Sequence, residues 1–204
     1  MVQTPTKPET EILSLNLPRS LKLHVTPEQF EILAACNREL QLERTAQGEL
    51  IVNPPTGWET GNRNSRITGQ LDRWEEKNEE LGRVFDSSTA FILPNNAIRS
   101  PDASWISQER WDAITDEQKG TFANICPDFV VELRSASDSL KSLQEKMQEY
   151  MENRAKLGWL IDPKNRTVAV YKVGLEVEVL SNPIELSGED VLPGFVLNMR
   201  RVWG

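Results

Sequence analysis

The sequence predicts an α/β fold in which helices flank the faces of a central mixed β-sheet. Three observations support this prediction. Apolar residues recur at helical spacing in two long segments, short β-branched segments alternate with them, and turn residues separate these elements. The predicted order is helix, hairpin, helix, hairpin, strand, helix, strand, strand, and a sheet covered by helices is the simplest packing for that order.

The first helix and the first hairpin are predicted from capping and turn residues. Thr26 and Pro27 suit an N-cap and a first helical position, so a helix is expected from there to about Asn37. The segments 40–44 and 49–52 then flank a short stretch that contains glycine, which predicts a hairpin.

A longer helix is expected after the double proline at 54–55. It should run from about Trp58 to Leu81, with Gly82 as its stop. The remaining predicted elements, in chain order, are strands at 83–93 and 98–106, one or two short helices in 107–119, a strand at 128–134, a helix at 139–154, and strands at 157–161, 168–171 and 177–180.

Chain length favours one domain, because 204 residues suffice for a sizeable core but are somewhat short for two. Residues 1–12 are polar and contain proline, so we expect a disordered tail there and a single domain over 13–204. No apolar run reaches the length of a membrane span and no leader resembles a signal peptide, so a cytoplasmic location without a membrane partner is expected. Cys36 and Cys126 are isolated, which indicates neither a zinc site nor a disulfide framework.

The charge balance argues against strong, non-specific binding of DNA. The chain has 31 acidic and 23 basic residues and a pI near 4.9, whereas proteins that bind phosphates usually have a basic surface. A local basic groove is compatible with this total.

The chain contains a single histidine, His24, which we expect to be an ordinary strand residue. Catalysis by a His-rich zinc site, or by a serine–histidine or cysteine–histidine pair, is therefore nearly excluded. Any catalysis would rely on carboxylates and lysine, which favours a hard cation such as Mg²⁺ or Mn²⁺.

Glu132 interrupts a compact apolar strand at 129–134. Because side chains alternate along a strand, Glu132 and Arg134 share one face, opposite three apolar residues. Burying a carboxylate there is costly unless a cation or hydrogen bonds offset the cost. Two interpretations are open: a salt bridge between Glu132 and Arg134, or a bound cation.

Asp102 follows Ser100-Pro101 at the start of a predicted strand. It suits a turn aspartate, since Pro-Asp is common where strands begin. If its strand and that of Glu132 are neighbours, about 4.8 Å apart, both carboxylates could reach one metal ion. The spacing in the sequence leaves both interpretations open.

Lys146 lies at the margin of the buried stripe that we expect on the helix at 139–154. That stripe recurs at helical spacing and consists of Leu140, Leu143, Met147, Tyr150 and Met151. A lysine at the margin, unlike Lys141, can bring its ammonium to a buried site while its stem packs on the core. The alternative is a lysine that extends into solvent.

Glu59 also has two interpretations. The segment Thr56-Gly57-Trp58-Glu59 has the spacing of a capping box, in which the glutamate binds the backbone N–H of the N-cap. A role as a metal ligand competes with this one, and the sequence ranks neither first.

An ordered set of short motifs spans nearly the whole chain. They are PPTGWETG at 54–61, RSPDASW at 99–105, PDFVVEL at 127–133, LQEKMQEY at 143–150, GWLIDP at 158–163 and GEDVLPGF at 188–195. This set resembles the Uma-type restriction endonucleases, a bacterial family of the PD-(D/E)XK nuclease superfamily. The resemblance implies a restriction-endonuclease-like core and a metal-dependent endonuclease that hydrolyses phosphodiester bonds of DNA.

The resemblance also implies roles for individual residues. Asp102 matches the aspartate of the superfamily motif and Glu132 its second acidic residue. Arg134 stands where the motif has its lysine, and arginine stays protonated, so it cannot act as a general base. The family places that lysine on the following helix, here at Lys146, with Tyr150 as its helical neighbour.

These residues define the expected site. The catalytic residues would be Asp102, Glu132 and Lys146, and the metal ligands for Mg²⁺ or Mn²⁺ would be Asp102, Glu132, Glu59 and the Leu133 carbonyl. Arg134 is a candidate contact to the substrate phosphate and Tyr150 a candidate helper. DNA would be the partner, and a homodimer is expected because cutting both strands commonly needs two sites. The alternatives are a catalytically degenerate nucleic-acid-binding or regulatory module of the same fold, and a protein-interaction domain whose charges only form salt bridges.

Overall fold

The protein is described by a computed structural model that covers residues 21–119, 122 and 124–204, so the expected tail at 1–12 lies outside the described residues. In the described part of the chain the helices are α1 (Pro27–Cys36), α2 (Trp58–Glu75), α3 (Gln108–Asp112), α4 (Asp116–Lys119), α5 (Leu140–Glu152) and α6 (Arg200–Trp203). The strands are β1 (Gln41–Arg44), β2 (Leu50–Asn53), β3 (Gly82–Asp86), β4 (Phe91–Ile92), β5 (Ile98–Arg99), β6 (Ala103–Ser107), β7 (Phe129–Leu133), β8 (Leu157–Asp162), β9 (Thr167–Lys172), β10 (Glu178–Ser181), β11 (Glu185–Ser187) and β12 (Val196–Asn198).

The largest sheet has six strands in the order β10-β9-β8-β7-β6-β3. Strands β7 and β8 run parallel, and the other neighbouring pairs run antiparallel, so this is the mixed sheet that the sequence predicts. A smaller sheet has the order β2-β1-β5-β4, and β11 pairs with β12.

The two faces of the six-stranded sheet carry separate apolar cores. On one face, alternate residues of β7 pack with Ile67 and Leu71 of α2 and with Val202 of α6. On the other face, Val130 packs with Met147 and Tyr150 of α5. The alternation predicted for the strand at 129–134 and the apolar stripe predicted for the helix at 139–154 therefore both cover a core.

Several predicted elements are confirmed. Helix α1 begins with Thr26 as N-cap, Pro27 in its first turn and a capping box closed by Gln29. The expected first hairpin is the antiparallel pair β1–β2, and the expected edge strand is β10. His24, expected to be an ordinary strand residue, forms only an isolated antiparallel bridge with Glu49, outside the strands named above. No helix within the described ranges is both long and apolar enough to cross a membrane.

The helix expected from Trp58 to Leu81 is shorter than predicted. It ends at Glu75, and the Asn78 side chain donates to the Trp74 carbonyl, which satisfies a carbonyl that the helix end leaves open. Gly82 is the first residue of β3 and does not stop the helix. Its role is close packing, because a Cβ there would lie 2.2 Å from the Ile106 carbonyl oxygen.

The long strands expected at 83–93 and 98–106 are each divided between two sheets. The first is interrupted by a turn after Asp86, whose side chain accepts hydrogen bonds from Ser88. The second is interrupted at Pro101, which has no backbone N–H to donate to a ladder. Antiparallel pairing is still present, as β4–β5 in the small sheet and β3–β6 in the large one.

Candidate active site

Asp102, directly before strand β6, and Glu132, within the neighbouring strand β7, lie at one end of the six-stranded sheet. Strand β6 begins directly after Asp102 and pairs with β7, which contains Glu132. The Asp102 backbone N–H donates to the Val131 carbonyl at 2.9 Å, and the Leu133 N–H donates to Asp102 Oδ2 at 2.7 Å. The ladder and this side-chain bond together fix the first carboxylate beside the second.

Lys146 and Tyr150 reach Glu132 from helix α5. Lys146 Nζ lies 2.8 Å from Glu132 Oε1, and the Tyr150 hydroxyl donates to the same oxygen at 3.0 Å. Tyr150 is fully buried, and the Lys146 side chain is 13% exposed. The ammonium therefore points inward from the margin of the buried stripe, and the structure brings Asp102, Glu132, Lys146 and Tyr150 together.

Glu43 completes this cluster, and sequence reasoning missed it. Its Oε1 accepts hydrogen bonds from Lys146 Nζ at 2.7 Å and from the Ser100 N–H at 2.9 Å. Arg99 Nη1 lies 3.3 Å from its other oxygen. The alternating pattern of the first hairpin does not predict that Glu43 is buried. Glu43 is buried because the small sheet packs against elements that are distant in the sequence.

Arg99 joins the cluster to a second carboxylate on α5. Its Nε donates to Glu149 Oε2 at 2.6 Å, and Asn95 Nδ2 donates to Glu149 Oε1 at 3.0 Å. The small sheet, the turn at 94–97 and α5 are thereby linked by hydrogen bonds around Lys146.

Helix α2 contributes Asn64 to the site and leaves Glu59 outside. Asn64 Nδ2 donates to Asp102 Oδ1 at 2.8 Å. Glu59 is 85% exposed and pairs with Arg63 at 3.3 Å. The capping box that was the other interpretation of Thr56–Glu59 does not form either, because Gly57 is the N-cap and no side chain caps the helix start.

Arg134 is not brought to the carboxylates. Its Nη1 donates to Asp162 Oδ2 at 2.6 Å, and its Nε donates to the Asp138 carbonyl at 3.4 Å. The salt bridge considered between Glu132 and Arg134 is therefore absent, since Glu132 pairs with Lys146 and Arg134 with Asp162.

Burial and mutual repulsion shift the protonation of this cluster. Burial raises the pKa of Asp102, and it raises the pKa of Glu132 to about 7 although Lys146 opposes the shift. Burial also acts on Glu43, but Lys146 and Arg99 outweigh it and hold its pKa below the ordinary value. Burial disfavours the Lys146 ammonium, yet Glu132 and Glu43 raise its pKa, so it stays protonated at neutral pH.

The cluster lines a cavity of about 770 Å³. One wall is the β1–β2 hairpin with Pro54–Gly57 after it, and the other is the loop Ser135–Ser139 with the start of α5. Each cation that lines the cavity already contacts a carboxylate: Lys22 pairs with Glu49, while Arg99 and Lys146 both pair with Glu43.

Comparison with known proteins gives the family. Residues 27–200 match the model of the Uma2 family, whose description is "Putative restriction endonuclease". The chain belongs to this family. Among solved structures, a protein of Anabaena variabilis ATCC 29413, described as "a putative nuclease belonging to DUF820", is 23% identical with a TM-score of 0.67, over 79% of this chain and 89% of that one. This likeness confirms the predicted restriction-endonuclease-like fold. No curated protein matches the sequence.

In this Uma2 protein the oxygen donors suit a hard divalent cation. Around Lys146 the structure gathers four carboxylates, those of Glu43, Asp102, Glu132 and Glu149, against two cations, which leaves two negative charges in excess when all are ionised. The amide oxygen of Asn64 is buried beside Asp102 and has no hydrogen-bond partner among the described residues. A divalent cation would offset that charge and could use that oxygen.

The ligand set is not preassembled in the form of a carboxylate cage. Within the described part of the chain, no group of three or more His, Cys, Asp or Glu side chains is arranged to hold a metal. Both Asp102 oxygens accept hydrogen bonds, from Asn64 and from the Leu133 N–H, and one Glu132 oxygen accepts two. Metal binding would therefore use the two carboxylates together with amide, carbonyl or water oxygens.

Proposed function

We propose that the protein is a metal-dependent endonuclease that hydrolyses phosphodiester bonds of DNA. The observation that carries the proposal is the meeting of Asp102, Glu132 and Lys146, from three separate elements, in one cavity of a chain whose family is described as restriction endonucleases. Two carboxylates can hold a divalent cation, and a lysine can donate to the attacking water or the phosphate, which suits metal-assisted phosphodiester hydrolysis without histidine.

Asp102 and Glu132 would hold Mg²⁺ or Mn²⁺, with the Leu133 carbonyl as a further ligand. The bound ion would activate a water molecule and stabilise negative charge on the phosphate. Asn64 takes the place that the sequence suggested for Glu59, because Asn64 contacts Asp102 while Glu59 pairs with Arg63 in solvent.

Lys146 acts in this proposal as a hydrogen-bond donor and a positive charge. Its raised pKa rules out the role of a general base at neutral pH, so it orients the attacking water or neutralises charge on the phosphate. Tyr150 holds Glu132 through its hydroxyl. Arg134 is left out of the substrate contacts because Asp162 already pairs with it.

A second function is favoured by the absence of a preassembled three-ligand group in the described residues. In that case the domain binds nucleic acid, or regulates, without catalysis, and the Lys146 ammonium stays paired with Glu43 and Glu132 where a metal ion would otherwise bind. Calorimetry with Mn²⁺ separates the two functions. The nuclease should lose Mn²⁺ affinity on Asp102→Asn, whereas a degenerate site should bind no Mn²⁺ through Asp102 and Glu132.

The direct test is cleavage of supercoiled plasmid and of single-stranded DNA with Mg²⁺, Mn²⁺ or EDTA. Asp102→Asn, Glu132→Gln and Lys146→Ala should each lower the rate by at least about 100-fold. Lys141→Ala is the matched control, because Lys141 lies on the same helix, is exposed and pairs only weakly with Glu145 at 3.7 Å. Equal cleavage rates in the wild type, the three site variants and the Lys141→Ala control would mean that DNA is not cleaved in this cavity.

The proposal includes a homodimer, because two sites are commonly needed to cut both strands of a duplex. Sedimentation analysis with and without a DNA duplex measures this directly. We expect such an enzyme to act on DNA in the cytoplasm.

A further inference from the structure

Three exposed arginines lie at or near the start of helix α6 in a chain with a net charge of −8. Arg166 lies in the turn between β8 and β9, and Arg200 and Arg201 begin helix α6. Arg166 and Arg200 line the same small cavity of about 220 Å³. We name Arg166, Arg200 and Arg201 the arginine surface.

The arginine surface lies at the same end of the six-stranded sheet as the candidate active site. In the ladder, Leu133 pairs with Ile161, and Asp162 pairs with Thr167, which directly follows Arg166. Neighbouring strands are about 4.8 Å apart, so β9 lies roughly 10 Å to the side of β7, the strand of Glu132.

Helix α6 is held at that end by contacts with α2 and with the chain after β10. The side chains of Arg63 and Arg66 donate to the carbonyls of Val202 and Arg201. Trp203 Nε1 donates to the Pro183 carbonyl at 3.0 Å. Helix α2 itself begins at the cavity, which Gly57 and Thr60 line, so one rigid element connects the cavity with the arginine surface.

The charges of the arginine surface are not neutralised within the described residues. None of the three arginines has a carboxylate within salt-bridge distance there, whereas every cation of the active-site cavity has one. An exposed guanidinium without a partner is suited to bind phosphate, since its fixed donors match the phosphate oxygens. The cavity alone offers no unpaired cation for the backbone of a long substrate.

We propose that the arginine surface binds the phosphate backbone of the DNA whose scissile phosphate enters the cavity. This inference rests on the proposed nuclease function and adds the part of the protein surface on which the duplex lies, at the same end of the sheet as the cavity. Binding of this kind is independent of base sequence and falls steeply with salt concentration. It reconciles an acidic protein with a DNA substrate, because three exposed arginines with no carboxylate partner among the described residues lie at the end of the sheet where cleavage would take place.

The test compares Arg200→Gln/Arg201→Gln and Arg166→Gln with the control Arg38→Gln/Lys77→Gln, which removes two exposed charges elsewhere on the surface. Fluorescence anisotropy of a labelled 30-base-pair duplex, with Ca²⁺ in place of Mg²⁺, gives the affinity at several salt concentrations. The double variant should bind at least about 10-fold more weakly at low salt. The slope of log K against log salt should become shallower by about 2, because two phosphate contacts are lost.

The same proteins are assayed for Mn²⁺-dependent hydrolysis of bis(p-nitrophenyl) phosphate, which is too small to reach the arginine surface. Unchanged hydrolysis together with weaker duplex binding supports the inference. Duplex affinity and salt slope equal to those of the control overturn it, as does a wild type that binds no duplex. A wild type that binds the duplex through these arginines but hydrolyses neither substrate contradicts the proposed nuclease function and leaves the surface as a binding site.

Discussion

Glu43 and Lys146, which are far apart in the sequence, meet in a partly buried hydrogen bond in which Lys146 Nζ donates to Glu43 Oε1 at 2.7 Å. The same ammonium lies 2.8 Å from Glu132. The two carboxylates differ in protonation, because the pKa of Glu43 is lowered while that of Glu132 is raised to about 7. Glu43 is therefore the firmer partner of Lys146, and Glu132 is the carboxylate that can change partners.

Replacing Glu43 with glutamine should slow catalysis, because Glu43 holds the Lys146 ammonium in position. Glutamine keeps an acceptor oxygen but removes the charge that holds the ammonium, so we expect kcat to fall by about 10-fold or more with little change in KM. The double variant Glu43→Gln/Lys146→Ala should have the same kcat as Lys146→Ala alone, because both changes act through the Lys146 ammonium. Glu49→Gln serves as the control, since Glu49 also lines the cavity but pairs with Lys22.

Two results would contradict this role for Glu43. Fully additive losses in the double variant would mean that Glu43 acts independently of Lys146. A large loss of Mn²⁺ affinity in Glu43→Gln would instead make Glu43 a metal ligand, and calorimetry on the same preparations measures that affinity.

The pKa of Glu132 predicts how the stability of the metal-free protein depends on pH. Burial raises this pKa from the ordinary 4.5 to about 7, so the folded protein binds the proton more tightly than the unfolded chain. The contribution of Glu132 to stability is then complete below about pH 4.5 and is lost as pH rises through about 7, by at most about 3 kcal/mol. Urea unfolding of wild type and Glu132→Gln should show the wild type losing stability relative to the variant between pH 5 and 8. A difference independent of pH would exclude a raised pKa.

Metal binding should release protons at mildly acidic pH. At pH 6 Glu132 is mostly protonated, and the raised pKa of Asp102 adds to the protons that a cation must displace. Calorimetric titration with Mn²⁺ in buffers of different ionisation enthalpy should therefore report about one proton released at pH 6 and almost none at pH 8.5. The Glu132→Gln variant should bind Mn²⁺ weakly with little proton release, and equal release at both pH values would contradict the assignment.

Local patterns were sufficient to predict several elements, among them α5 and β7, which carry Lys146 and Glu132. Capping residues mark α1, and helical periodicity marks the buried stripe of α5 and places Lys146 at its margin. Alternation in β7 identifies Glu132 as an anomalous charge, and in the structure Glu132 is buried beside Lys146. These features depend on residues a few positions apart, so a single sequence contains them.

The rest of the cluster depends on long-range packing, which local patterns do not encode. Glu43 is buried only because the small sheet packs beside Ser100 and Lys146, which are 57 and 103 positions away. Asn64 follows Glu59 by little more than one helical turn, and only the docking of α2 on the sheet determines that Asn64 faces Asp102. Arg134 was suggested as a phosphate contact, but Asp162 on the neighbouring strand pairs with it.

Gly82 offers a test of how tightly β3 packs against β6, the strand that Asp102 precedes. A Cβ at position 82 would lie 2.2 Å from the Ile106 carbonyl oxygen and 2.5 Å from the Trp105 ring, and neither group can move without disturbing the ladder. We expect Gly82→Ala to lower the free energy of unfolding by about 3 kcal/mol. Gly69→Ala is the control, because a Cβ there meets only Arg73 Nη1 at 3.5 Å and alanine favours the helix interior, which should stabilise by about 0.5–1 kcal/mol. Urea midpoints that shift equally in both variants would mean that β3 and β6 can separate enough to admit a methyl group.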